Sequence, residues 1–205
     1  MGGAQPVPPQ RSVFRNSLNT KGQLGKSHDP RKLMRRLSES SNARHEGQNA
    51  MLEHQELLRE FQDFAATAPT AKSVMERIAQ RLHEKMSRYN WIGFYLVDPA
   101  EPGVLRVGPF VGSFTPNERI PLDTGLCGAA ASSGQIVVVH DVSKDPRYLA
   151  GSPLVKSEIV IPIFVKNKLA GELDIESYFA GTFTKPEQDF AEACANVVGK
   201  YLGKK

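Results

Sequence analysis

Between Ser157 and Ser177 the chain alternates in a way that a pair of adjoining strands satisfies and a helix does not. Two runs, Ser-Glu-Ile-Val-Ile-Pro-Ile-Phe-Val and Leu-Ala-Gly-Glu-Leu-Asp-Ile-Glu-Ser, flank Lys166-Asn167-Lys168, a polar trio whose Asn tolerates left-handed backbone angles. The stretch reads as an antiparallel hairpin. Successive side chains of a strand point to opposite faces, so Leu169, Gly171, Leu173 and Ile175 share one face while Ala170, Glu172, Asp174 and Glu176 share the other.

Turn length decides what those acids meet. With all three turn residues looped out, Glu158 stands opposite Glu176, Val160 opposite Asp174 and Pro162 opposite Glu172; a two-residue turn would instead bring Ile159 beside Glu176. The first register is expected, because it keeps Ile159, Ile161 and Ile163 on an apolar face with Leu173 and Ile175. The opposite face then gathers Glu158, Asp174 and Glu176. Like charges placed so are either solvated or kept for a cationic ligand.

The flanking segments supply the rest of a sheet and its helices. Leu57, Leu58, Phe61 and Phe64 recur at helical spacing from about Asn49 to Ala66, and Thr70 caps a second helix striped by Val74, Ile78, Leu82 and Met86. A strand from Asn90 to Val97 points Ile92, Phe94 and Leu96 one way and Trp91, Gly93 and Tyr95 the other. Further strands are expected at Val104 to Val111, around Glu118 to Ile120 and at Ile136 to Val139. Thr124 caps a short helix from Gly125 to Ser133, which puts Cys127 in a first turn, where the helix dipole and free N–H groups favour a thiolate or a bound anion. Thr184-Lys185-Pro186-Glu187 has the form of a capping box opening a last helix, whose stripe of Phe190, Ala191, Cys194, Val197, Val198 and Tyr201 makes Cys194 a core residue.

Six strands on short connections, with helices bunched at the chain ends, describe an α+β fold: a six-stranded antiparallel sheet, helices on one face and a ligand pocket on the other. The pocket face carries Trp91, Tyr95, Glu158, Asp174 and Glu176, with the long connection from Asp141 to Lys156 folded over it. The domain is expected to run from 47 to 205. Residues 1–46 read as a disordered basic tail, since their Pro, Ser and Asn content and few clustered apolar residues cannot offset chain entropy.

Charge is distributed to match. The net charge of +4 misleads, because residues 1–50 hold nine Lys and Arg against three acids, whereas residues 51–205 hold seventeen against nineteen. A basic balance that resides in a tail argues against nucleic-acid binding by the folded part. No apolar run approaches a membrane span or a signal peptide, so a cytoplasmic protein without membrane attachment is expected. The two cysteines, Cys127 and Cys194, form neither a disulfide framework nor a recognisable metal-ligand spacing, and neither metal nor cofactor is expected. His140-Asp141 has no partner His at ligand spacing and reads as an ordinary strand end.

Taken in order, Asn-Trp-Ile-Gly-Phe-Tyr-Leu at 90–96, Gly-Pro-Phe at 108–110, Arg-Ile-Pro-Leu-Asp-Thr-Gly-Leu-Cys-Gly at 119–128, Ser-Glu-Ile-Val-Ile-Pro at 157–162 and Leu-Asp-Ile-Glu-Ser at 173–177 resemble the GAF domains of free methionine-R-sulfoxide reductases. The resemblance runs from about residue 50 to 203. It implies a pocket for one free amino acid, with Trp91 and Tyr95 as the aromatic wall near the S-methyl group. Glu158 and Asp174 match the acids near the ammonium, and Glu176 stands where the family usually has Asp. Of the three cysteines usual around the family's pocket only the middle one is present, as Cys127; the first falls at Asn117 and the third at Gly151.

A thiolate that attacks a sulfoxide leaves as a sulfenic acid and needs a second thiol to reset it. With that internal thiol missing, the expected role is a non-catalytic, small-molecule-binding or sensory GAF domain with methionine or its sulfoxide as ligand. The ammonium would sit among Glu158, Asp174 and Glu176 and the carboxylate at the helix start formed by Gly125, Leu126 and Cys127. The alternative is an active reductase with Cys127 catalytic, reset by thioredoxin or another external thiol reductant. A homodimer through the terminal helices is also expected, as is frequent among GAF proteins.

Overall fold

The structure, a computed structural model, describes residues 30–114 and 116–204. The chain divides into two compact units, residues 1–43 and residues 44–205. The described part of the first unit is helical, and it opens helix α1, Pro30–Thr67. Residues 30–46 are therefore not the unstructured segment that composition suggests. Between Arg31 and Glu46 no Pro or Gly interrupts the run, and eleven of its sixteen residues are Arg, Lys, Leu, Met, Glu or Ala, so the backbone holds a helix although no apolar stripe announces it. The remainder of the expected tail, residues 1–29, lies outside the described residues.

In the second unit α2, Ala71–Lys85, starts at a capping box between Thr70 and Ser73. Strands β1 (Trp91–Val97), β2 (Val104–Gly112) and β3 (Arg119–Pro121) follow, then α3 (Gly125–Ser133), β4 (Val137–Val139), β5 (Ser157–Val165), β6 (Lys168–Ser177) and α4 (Lys185–Gly203). The six strands form one antiparallel sheet in the order β3-β2-β1-β6-β5-β4. Thr184 does not complete the expected capping box on α4: its hydroxyl bonds the Glu187 carboxylate and caps no backbone N–H.

Leu57 and Phe61 from α1, Ile78 and Leu82 from α2, and Phe190, Cys194 and Val198 from α4 pack on one face against Ile92, Phe94, Ile159, Ile161, Leu173 and Ile175. Cys194 is fully buried there, as the stripe requires. The other face carries a second, smaller core around Trp91, Tyr95, Leu105, Ile120, Leu126, Cys127 and Val160. Helix α3 covers this face, so helices sit on both sides of the sheet: three behind it and one in front, over the acids.

The hairpin has the expected pairs, Glu158 with Glu176, Val160 with Asp174 and Pro162 with Glu172, but reaches them differently. The turn holds two residues, Lys166 and Asn167, both in the left-handed region at φ 50° and 62°, which is the primed turn that suits strand twist. The odd residue is absorbed at Ala170, since Ile163 pairs with Gly171 and Phe164 already with Leu169. Bulge and short turn together reproduce the register of a three-residue loop.

Candidate functional site

β6 lies between β1 and β5, so its acids meet a partner on each side. Trp91 pairs with Glu176, Gly93 with Asp174 and Tyr95 with Glu172 across β1, while Glu158 pairs with Glu176 across β5. All four carboxyl groups are buried: Glu158 is 5% exposed, Glu172 0%, Asp174 3% and Glu176 6%. A solvated face is thereby excluded.

α3 closes the site from above and brings Cys127, itself buried, over the acids. Its sulfur lies 4.0 Å from Asp174 Oδ2, and the donor atoms of Cys127, Glu158 and Asp174 all lie within 4.8 Å of one another. α3 comes this close because Gly125 takes φ 74° at its start and because Gly128 packs on backbone; a Cβ there would stand 2.8 Å from the Asp123 carbonyl carbon. A cavity of about 20 Å³, room for about one water molecule, remains between helix, sheet and loops. Its walls include Tyr95, Gly125, Leu126, Cys127, Glu158, Asp174 and Glu176, and also Asn117 and Gly151.

Trp91 does not line this cavity. Its ring lies flat over the sheet, where a Cβ on Gly93 would stand 2.1 Å and one on Gly112 2.3 Å from it, and it is stacked on Phe110 and Phe114 with centroids 5.8 and 5.7 Å away. The space that Gly93 leaves is thus filled by Trp91 itself, and Phe114, from the β2–β3 loop, takes the place at the cavity wall. Leu149 closes the wall from the connection after β4.

Glu172 is a further site residue that the alternation of β6 signals but that its expected partner, Pro162, conceals. Neither of its carboxylate oxygens meets a hydrogen-bond donor at bonding geometry, although the group borders the Cys127 thiol. Asp174 Oδ1, Glu176 Oε2 and Trp91 Nε1 are likewise buried without a partner.

Burial penalises charge, and the acids repel one another. Both effects hold Glu158 and Asp174 well above the ordinary carboxylate range, while burial pushes Glu172 up to about 8 and Glu176 to about 7. Cys127 is the case where two opposed influences had to be ranked. Burial first, then the charges of Asp174, Glu172 and Glu158, drive the thiol well above its ordinary value, in the direction opposite to that expected of a first-turn position alone. Near neutrality the site is a buried thiol among carboxyl groups that hold protons. His140 is exposed, and Asp141 caps the 3-10 turn after β4 and pairs with Lys144 at 2.9 Å, so this pair stands apart from the site.

A six-stranded antiparallel sheet in this order, backed by helices and fronted by a small enclosed pocket, defines the GAF class of domain. The GAF domain family model matches residues 71–202, and the chain belongs to that family. Within it the chain is homologous to free methionine-R-sulfoxide reductases. It is 34% identical to the Escherichia coli protein of that name over 133 residues, 65% of this chain and 78% of that one. It is 36% identical to the Saccharomyces cerevisiae protein over 112 residues, 54% of this chain and 62% of that one. The free methionine-R-sulfoxide reductase of Neisseria meningitidis, solved in complex with its substrate, superposes with a TM-score of 0.70 at 31% identity, covering 74% of this chain and 89% of that one. Among the described residues no helix is long and apolar enough to cross a membrane.

Proposed function

We propose that the pocket binds free methionine-R-sulfoxide and that Cys127 is the thiol that reduces it, an external thiol closing the cycle. The observation that carries this reading is a thiol that lines one small cavity together with Glu158, Asp174 and Glu176. The names of the homologous proteins favour enzyme over sensor. The ammonium of a free amino acid meets Glu158, Asp174 and Glu176, its carboxylate meets the first N–H groups of α3, and Tyr95 and Phe114 enclose its apolar end. Such a ligand is several times larger than one water, so the loops carrying Phe114 and Leu149 open to admit it.

The chemistry suits protonated carboxyl groups. As the Cys127 sulfur attacks the sulfoxide sulfur, a carboxyl group gives its proton to the sulfoxide oxygen and takes up the thiol proton. The oxygen passes to Cys127 as a sulfenic acid and methionine leaves as the thioether. One external thiol condenses with the sulfenic acid and expels water; a second frees Cys127 and departs in a disulfide.

A second reading, binding without turnover, is favoured by Asn117 and Gly151, which line the cavity where the family resemblance places its other two cysteines. Consumption of free methionine-R-sulfoxide with dithiothreitol and with thioredoxin separates the two. Turnover with dithiothreitol that disappears in Cys127→Ser supports reduction at Cys127. No turnover with either reductant, together with calorimetric binding of the sulfoxide that weakens in Asp174→Asn, supports binding alone; turnover that survives Cys127→Ser rejects the proposal.

A further inference from the structure

Four buried carboxyl groups and a thiol converge on one point of the sheet, and the amino-acid reading leaves several of their oxygens without a partner. A free amino acid brings one ammonium with three N–H donors, whereas Glu158, Glu172, Asp174 and Glu176 bring eight carboxyl oxygens into one buried cluster. Buried charges are stable when paired or when they coordinate a metal ion.

Donor geometry adds a second, independent constraint. Cys127 Sγ and one oxygen each from Glu158 and Asp174 lie within 4.8 Å of one another. Tetrahedral Zn²⁺, with bonds of about 2.3 Å to sulfur and about 2.1 Å to oxygen, holds such donors roughly 3.4–3.6 Å apart, so shifts of about 1 Å draw them onto one ion. Beside them stand polar atoms with nothing to bond: Asp174 Oδ1 within the cluster, and both oxygens of Glu172, whose side chain is 0% exposed and borders the same sulfur. These supply a fourth ligand or accept from a metal-bound water.

We propose that Cys127, Glu158 and Asp174, with Glu172 beside them, form a binding site for one thiophilic divalent cation, Zn²⁺. The thiol gives its proton to solvent as the sulfur–metal bond forms. Sulfur in the set selects Zn²⁺ or Cd²⁺ over Mg²⁺ and Ca²⁺, which take oxygen ligands only. A cation held on Cys127 also denies that sulfur to any sulfoxide, so the same residues serve two mutually exclusive ligands.

The test uses the full, untagged chain and no amino acid, so its outcome is independent of the reading of the pocket as a reductase site. Cd²⁺ is titrated while the ultraviolet thiolate-to-metal charge-transfer band is followed, and Zn²⁺ and Mg²⁺ are titrated by calorimetry. The expected result is a band that saturates at one equivalent of Cd²⁺, persists in Cys194→Ser and vanishes in Cys127→Ser. Zn²⁺ affinity should fall at least about tenfold in Asp174→Asn, and Mg²⁺ should give no heat. Histidine side chains can take Zn²⁺ but give no thiolate band. Alkylation of Cys127 in the unmodified chain supplies a measurement free of folding effects: one equivalent of Zn²⁺ should slow it. A missing band, a band kept in Cys127→Ser, unchanged affinity in Asp174→Asn or unslowed alkylation would overturn the proposal.

Discussion

Replacing Glu172 by Met should stabilise the protein, and by an amount that grows with pH. Glu172 is 0% exposed, has no hydrogen-bond donor at bonding geometry, and titrates near 8 in place of its ordinary 4.5. The folded chain therefore keeps a proton that the unfolded chain releases above about pH 4.5. Because the folded state binds the extra proton, stability is undiminished below 4.5 and falls as pH rises towards 8, by about 1.4 kcal/mol for each pH unit. At pH 7 the accumulated cost is of order 3 kcal/mol. Met has nearly the same length, carries no charge and needs no partner, so the variant escapes that cost. For a chain of this size the gain corresponds to a Tm about 6–12 °C higher at pH 7, with the gap closing towards pH 5. Urea and thermal unfolding of both proteins from pH 5 to 9 measure it; Glu158 and Asp174, which Glu172 also repels, are relieved in the variant in the same direction and add to the gap. A gap that stays constant between pH 5 and 8, or a Met variant less stable than the parent at pH 8, would refute the assignment of a buried proton to Glu172.

Further substitutions probe the walls of the site. Gly93→Ala places a methyl group where the Trp91 ring lies, 2.1 Å away, so it should lower stability by about 1–3 kcal/mol and change tryptophan emission, whereas Gly103→Ala, with nothing within 4 Å, should leave the emission unchanged. Asn117→Cys combined with Gly151→Cys restores thiols at two positions of the cavity wall and should raise thioredoxin-dependent consumption of methionine-R-sulfoxide above that of the parent. A Cβ at 151 would stand 2.8 Å from Phe114, so the single Gly151→Cys change should by itself alter the stacking on Trp91, as read by near-ultraviolet circular dichroism.

The arrangement of the acids was legible because two patterns agreed. Alternation put them on one face of β6, and the isoleucines of β5 allowed only one register against it. What alternation could not report is whether that face is wet. Its burial depends on α3, a nine-residue helix with little apolar periodicity that crosses the sheet because Gly125 and Gly128 allow close approach. Glu172 faced only Pro162 in the expected register, and that it borders Cys127 depends on α3. Phe114 belongs to an irregular loop, where no period points a side chain inward. Trp91 was assigned correctly to its face but not to its neighbours, because ring stacking between β2, its following loop and β1 leaves no trace in spacing. The early start of α1 was missed because a helix without an apolar stripe is marked only by composition and by the lack of breakers.

The bulge at Ala170 gives this hairpin a way to keep its far end in step while its tip changes. A two-residue turn with one bulged residue and a three-residue loop with none deliver the same pairing of Ile163 with Gly171, so the tip can exchange one form for the other without sliding the strands. Deletion of the bulged residue Ala170 therefore meets a built-in allowance, since the two-residue turn then closes on a regular ladder, and it is absorbed several residues before Glu158 and Glu176 would register it. That makes the tip the place to attach a fluorophore or open the chain for permutation, with the acidic pocket left in alignment.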